Sequence, residues 1–176
     1  MRDWTFVQIS VSKDSVVENS IFEYAFTGVQ VHYSKAEVRN CLFRGNFEAM
    51  RFSTADVLIE NNDFIENFYG IRTEAHGSRT IIRNNFFQKN QHAYFPVRKT
   101  GDSVKFHGNN VTETVQYNVK LGQSQQEDLN LSGNWWGTAD REKIGESIFD
   151  KSKDETLGRV TFEPFLTEPA KDCGRK

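Results

Sequence analysis

VENSIF (residues 17–22), VRNCLF (38–43), IENNDF (59–64) and IRNNFF (82–87) are four versions of one hexamer, each with asparagine third and phenylalanine last. Aligned on that asparagine, the series Asn19, Asn40, Asn61 and Asn84 continues in weaker form through Gly108 and Gly133, at spacings of 21, 21, 23, 24 and 25 residues. A period above 20 residues marks a stacked repeat, because one such unit cannot bury its apolar side alone. Two residues before the reference position stand Val17, Val38, Ile59, Ile82, Phe106 and Leu131, all apolar. One residue before it stand Glu18, Arg39, Glu60, Arg83, His107 and Ser132, all polar. Alternation with period two describes a short strand with one face turned inward.

A second strand follows in each repeat: GVQV, AMRF, GIRT and YNVKL. Val29, Met50 and Ile71 are expected inside, as are Val31, Phe52 and Thr73, while Gln30, Arg51 and Arg72 are expected outside. A third apolar piece lies around Phe22, Phe43, Phe64 and Phe87. Three strands per repeat make one turn of a three-sided coil whose successive turns stack about 4.8 Å apart. Like residues then form ladders. The Phe residues should stack in a column. The reference Asn should tolerate left-handed backbone at a corner and bond the amides above and below. Glu18, Arg39, Glu60 and Arg83 alternate in sign, so neighbouring turns attract.

At 176 residues with 15 Phe, the chain suits one globular domain with a sizeable core. The division expected is coils over 1–137, a cap helix with a last strand over 138–169, and a flexible tail over 170–176. The helix is read in ADREKIGESIFD, presenting Ile144, Ile148 and Phe149, and the last strand in LGRVTFEPFLTEP. The first strand, DWTFVQIS, has no covering helix, which points to an uncapped end. That end would meet a missing N-terminal region or associate end to end with another molecule. A net charge of −2 without a basic cluster argues against nucleic acid. No apolar run is long enough for a membrane span. MRDWTFVQIS lacks the layout of a signal peptide, so the chain reads as trimmed or cut from a longer one. Cys41 and Cys173 are read as two unpaired thiols.

These repeats, together with GNWWGT and the LGRVTFEPFL ending, resemble the right-handed parallel β-helix superfamily, the pectin-lyase-like fold of carbohydrate-binding proteins and sugar hydrolases. The resemblance implies an all-β, right-handed parallel β-helix, a three-sided solenoid of about six coils with a C-terminal α-helical cap. It implies an extracytoplasmic setting (periplasmic, secreted or cell surface) and a polysaccharide or cell-surface glycan as partner. Three functions come with it. The first is a non-catalytic module, carbohydrate-binding or structural. The second is a polysaccharide lyase or epimerase acting on an acidic polysaccharide, the only reading that calls for a cofactor, calcium. The third, by fold analogy, is a periplasmic copper accessory protein. The superfamily's paired aspartates with a Gly-His-Gly segment and its Asp-Pro-His-Asp motif have no match here, which argues against an enzyme.

Arg51 and Arg72 fall on adjacent turns of the outward second-strand face, Lys120 continues the stripe after Phe95, and Glu74, His76, Lys99 and Asp102 lie in neighbouring turns. Guanidinium pairs bind carboxylates bidentately, so Arg51, Arg72, Phe95, Lys120 and Glu74 form the candidate ligand site. Tyr24, Tyr33, Tyr69 and Phe95 are the aromatics expected outside or in turns, where a sugar ring can stack. Loops that lengthen from SKA through EAHGSR and RKTGDS to GQSQQED are expected to wall a groove. Glu60, Asp63 and Glu66 cluster in sequence but define no carboxyl separation of the kind hydrolysis requires. His32, His76, His92 and His107 occupy different repeat positions and read as surface or turn residues, not metal ligands.

Overall fold

The computed structural model describes residues 3–74, 78–100 and 103–176, which form a three-sided parallel solenoid. A leading strand, β1 (Trp4–Ser10), opens it. The first turn is β2 (Ser15–Glu18), β3 (Ile21–Glu23) and β4 (Ala25–His32). The second is β5 (Lys35–Arg39), β6 (Leu42–Arg44) and β7 (Glu48–Ser53), and the third β8 (Asp56–Glu60), β9 (Asp63–Ile65) and β10 (Tyr69–Thr73). The fourth is β11 (Arg79–Arg83), β12 (Phe86–Gln88) and β13 (His92–Pro96), and the fifth β14 (Val104–His107), β15 (Asn110–Thr112) and β16 (Tyr117–Lys120). A sixth starts with β17 (Leu129–Asn130) but is replaced by α1 (Arg141–Glu146), β18 (Ile148–Phe149) and β19 (Val160–Thr161). Five complete turns thus stand where about six were expected.

The strands stack into a seven-stranded sheet, β1-β4-β7-β10-β13-β16-β18, and two five-stranded sheets ending at β2 and β3. Register follows the repeat: Val17, Val38, Ile59, Ile82 and Phe106 pair in sequence across the β2 sheet. Phe22, Phe43, Phe64 and Phe87 form the expected column, with centroids 5.0, 5.0 and 4.7 Å apart and near-parallel rings. Phe43 and Phe64 are thereby covered on both faces by their neighbours, whereas Phe22 ends the column with one face uncovered by a ring.

The asparagines divide two jobs that the sequence suggests for one. Asn19, Asn40, Asn61 and Asn84 do turn the corner in left-handed backbone, at φ of 52, 53, 54 and 54°, followed by Gly108 and Gly133 at 65 and 75°. Their amides make no ladder, and Asn40 Oδ1 and Asn61 Oδ1 are enclosed without a partner. The ladder belongs to the next residue, which the left-handed corner swings inward. Asn62 Oδ1 accepts the Cys41 backbone N–H at 2.9 Å, and Asn85, Asn109 and Asn134 repeat the bond to the turn before. A second ladder, Asn46, Asn67 and Asn90, serves the corner before the seven-stranded sheet. Each satisfies a buried backbone donor that no strand pairing reaches.

The helical cap is shorter than expected. Asp140 caps α1, its carboxylate accepting the N–H groups of Glu142 and Lys143, and Ile144 is buried. Ile148 and Phe149, expected on that helix, instead form β18 on the open edge of β16. Gly145 weakens helix continuation, while a β-branched and an aromatic residue suit an edge whose backbone groups need partners.

Residues 170–176 run back along the β3 sheet rather than trailing free. Ala170 exchanges two hydrogen bonds of 2.9 Å with the Asn110 amide, and the Cys173 thiol donates to the Gly108 carbonyl at 2.9 Å. The Gly174 N–H donates to the Asn84 carbonyl at 2.9 Å, and the Arg175 N–H to Asp63 Oδ1 at 3.1 Å. Both cysteines are free thiols, and burial pushes Cys173 up to about 11.

Candidate functional site

The outward face of the seven-stranded sheet is built from two columns. One holds Gln30, Arg51, Arg72, Phe95, Lys120 and Phe149; the other holds Thr27, Glu48, Tyr69, His92 and Tyr117. Between the columns each strand turns two successive residues inward, such as Ala49 with Met50 and Gly70 with Ile71. In the first four turns the first of the pair is small, Gly28, Ala49, Gly70 and Ala93: a Cβ on Gly70 would lie 2.5 Å from the Ala93 carbonyl oxygen.

Toward β4 the face is charged but internally matched. Glu48 is fully buried, accepts from the Thr27 hydroxyl at 2.8 Å and pairs with Arg72. Arg72 also pairs with Glu74, whose other oxygen lies 3.4 Å from Arg51. The two arginines expected to await an anion are therefore already held by two carboxylates of this chain. A buried carboxylate is stable only with such partners, so Glu48 fixes the Arg72 guanidinium in place.

Toward β18 the face is aromatic. Phe95 stacks on Tyr69 at 4.5 Å and 12°, beside Arg72 in register, as the sequence suggests. His92 lies between Tyr69 at 5.4 Å and Tyr117 at 5.9 Å, with the Phe68 edge against it. At 1% exposure it is no surface residue, correcting the sequence expectation. Its column is covered by rings from three successive turns. Burial first, and the Lys120 charge second, push His92 down to about 4. Because the folded value lies below the usual 6.5, its contribution is complete above pH 6.5 and fades as pH falls toward 4. Urea unfolding at pH 4.5 should accordingly show about 2 kcal/mol less stability than at pH 7 from this residue. His92→Phe should lose that part of the pH dependence; an unchanged profile would rule out His92 as its source.

Arg72, Phe95, Lys120 and Phe149 floor a groove of about 540 Å³, walled by residues 121–124 and by Asp154 and Leu157. Residues 122–124 of that wall are the start of the long GQSQQED loop. All five candidate residues thus share one surface, with Glu74 and Arg51 at its charged margin. His76 and Asp102 lie outside the described residues, and Lys99 is exposed. Tyr24 and Tyr33 stand at other corners, both in left-handed backbone. Glu60, Asp63 and Glu66 diverge: Glu60 pairs with Arg83, Asp63 holds the C-terminal segment, and Glu66 occupies a left-handed corner. Among the described residues no three His, Cys, Asp or Glu side chains are grouped as a metal site.

Sequence reasoning missed Glu48, Tyr69's neighbour His92 and the wall residues Asp154 and Leu157. Repeat register does align Glu48, Tyr69, His92 and Tyr117, so the column was available. The paired inward residues hid it by breaking strict alternation.

A family model described as right handed beta helix region matches residues 3–135. The chain belongs to the right-handed β-helix family. No curated protein and no solved structure matches this β-helix. Among the described residues no helix is long and apolar enough to cross a membrane.

Proposed function

We propose that this β-helix is a non-catalytic module that binds a carbohydrate in the 540 Å³ groove of its seven-stranded sheet, outside the cytoplasm. The observation that carries the reading is the Phe95 ring. It is held flat by Tyr69 beneath it and flanked by Arg72 and Lys120. An apolar ring face with a few fixed polar groups around it is the usual composition of a small-ligand site. Phe95 offers the stacking surface, Lys120 and Arg72 the donors, and Glu48 and Glu74 hold Arg72 rigid. The extracytoplasmic setting rests on the superfamily resemblance.

The competing lyase or epimerase reading needs an unencumbered arginine or lysine as base. Both arginines are engaged by Glu48 and Glu74, which takes them out of that role and leaves Lys120 as the basic side chain of the groove that could fill it. Glycan-array screening followed by calorimetry tests the proposal. Phe95→Ala should weaken the best ligand by about tenfold or more, as central aromatic anchors do. Lys120→Ala should have a smaller effect. A silent array, or undiminished affinity in Phe95→Ala, would overturn it.

A further inference from the structure

At the end formed by β1, β2 and β3 the solenoid has a step. Among the described residues each of these strands is paired on one edge only. β1 pairs with β4, which follows β2 and β3 in the chain. The seven-stranded sheet therefore reaches one strand farther than the other two, leaving a ledge about 4.8 Å deep over β2 and β3. Core residues lie open on it. Val17 and Phe22 are only partly buried, whereas Val38 and Phe43 one turn below are fully enclosed. Val7 on the β1 wall, in register with the fully enclosed Val29, is 42% exposed. The Trp4 indole, donating to the Glu23 carbonyl at 2.8 Å, closes the far end.

The charges specify what fits there. Down one column of the β2 sheet run Asp14, Lys35, Asp56 and Arg79, with Asp14–Lys35 at 3.3 Å and Asp56–Arg79 at 3.9 Å. Down another run Glu18, Arg39, Glu60 and Arg83, with Glu18–Arg39 at 2.9 Å and Glu60–Arg83 at 2.8 Å. Both columns alternate in sign and both end in an acid at the ledge. The next turn in the same register would be basic at both positions.

We propose that the ledge is a strand-accepting site for an extended segment of another polypeptide. The segment carries a basic residue over Asp14, an apolar β-branched residue over Val17 and a second basic residue over Glu18. An Asn or Gly then turns the corner, and an aromatic residue lies over Phe22. Main-chain bonds to the free edges of β2 and β3 supply affinity, and the side-chain pattern supplies choice, as in other strand additions. A second copy of this chain does not satisfy the same surface. Two such ends facing each other would bring the acids that close both columns toward one another.

The test titrates the full chain with three peptides while following backbone amide shifts by nuclear magnetic resonance. KAEVRNSLFR copies residues 35–44 with Cys41→Ser; EAEVENSLFE reverses its basic positions; KAEPRNSLFR removes the N–H that must meet the edge. The first should shift amides of residues 15–23 and bind about tenfold tighter than the second at low salt, with the gap closing in high salt. The third should not bind. Equal binding of the first two, no shift in β2 and β3 at millimolar peptide, or dimerisation through this end on sedimentation would each overturn the proposal.

Discussion

Asn62→Ala is expected to lower the free energy of unfolding by about 3 kcal/mol, and Asn61→Gly, one residue earlier, by less than about 1 kcal/mol. The contrast follows from what each side chain holds. Asn62 Oδ1 accepts the Cys41 backbone N–H at 2.9 Å, and its Nδ2 donates to the Val38 carbonyl at 2.9 Å and to Asn85 Oδ1 at 3.0 Å. Alanine leaves the Cys41 donor buried and unpaired, where no water reaches. Asn61 contributes chiefly its left-handed backbone, φ 54°, and its Oδ1 has no partner to lose. Glycine adopts that conformation freely. Urea titration of both variants checks the pair, and equal losses would mean that the ladder contributes nothing beyond the corner.

The second large effect is expected from Phe64→Ala, at about 4 kcal/mol. Phe64 is fully enclosed between Phe43 at 5.0 Å and Phe87 at 4.7 Å, both rings within 11° of parallel. Removing it takes a ring from the middle of the column and leaves a cavity that rigid turns above and below cannot collapse into. In a stacked array each turn touches only its neighbours, so the gap also divides the solenoid into two blocks. Calorimetry should show the single transition of the parent resolve into two. A single sharp transition with less than about 1 kcal/mol of loss would show that the column does not bear the stability assigned to it.

The turns and their inward residues were legible because the β2 sheet obeys strict alternation over five turns, and because period and hydrophobic pattern agree. Legibility ended where the backbone departs from period two. The paired inward residues on the seven-stranded sheet shifted Glu48 and His92 into a column that alternation does not predict. Helical periodicity in residues 139–150 described Ile148 and Phe149 correctly as apolar, yet their fate was decided by the unpaired edge of β16. The candidate residues were found as a surface but not as a network. Outward position follows from local pattern, whereas the choice of Glu48 and Glu74 as partners for Arg72 depends on contacts one turn away.

The C-terminal segment gives this molecule a connection of a different order. It touches Asn110 in the fifth turn, Asn84 at the fourth and Asp63 in the third, tying together layers that otherwise communicate only one by one. A stack without such a lashing frays from its terminus inward, layer after layer. With it, the last three layers can separate only after the lashing lifts, so that half of the molecule opens as a block or stays shut.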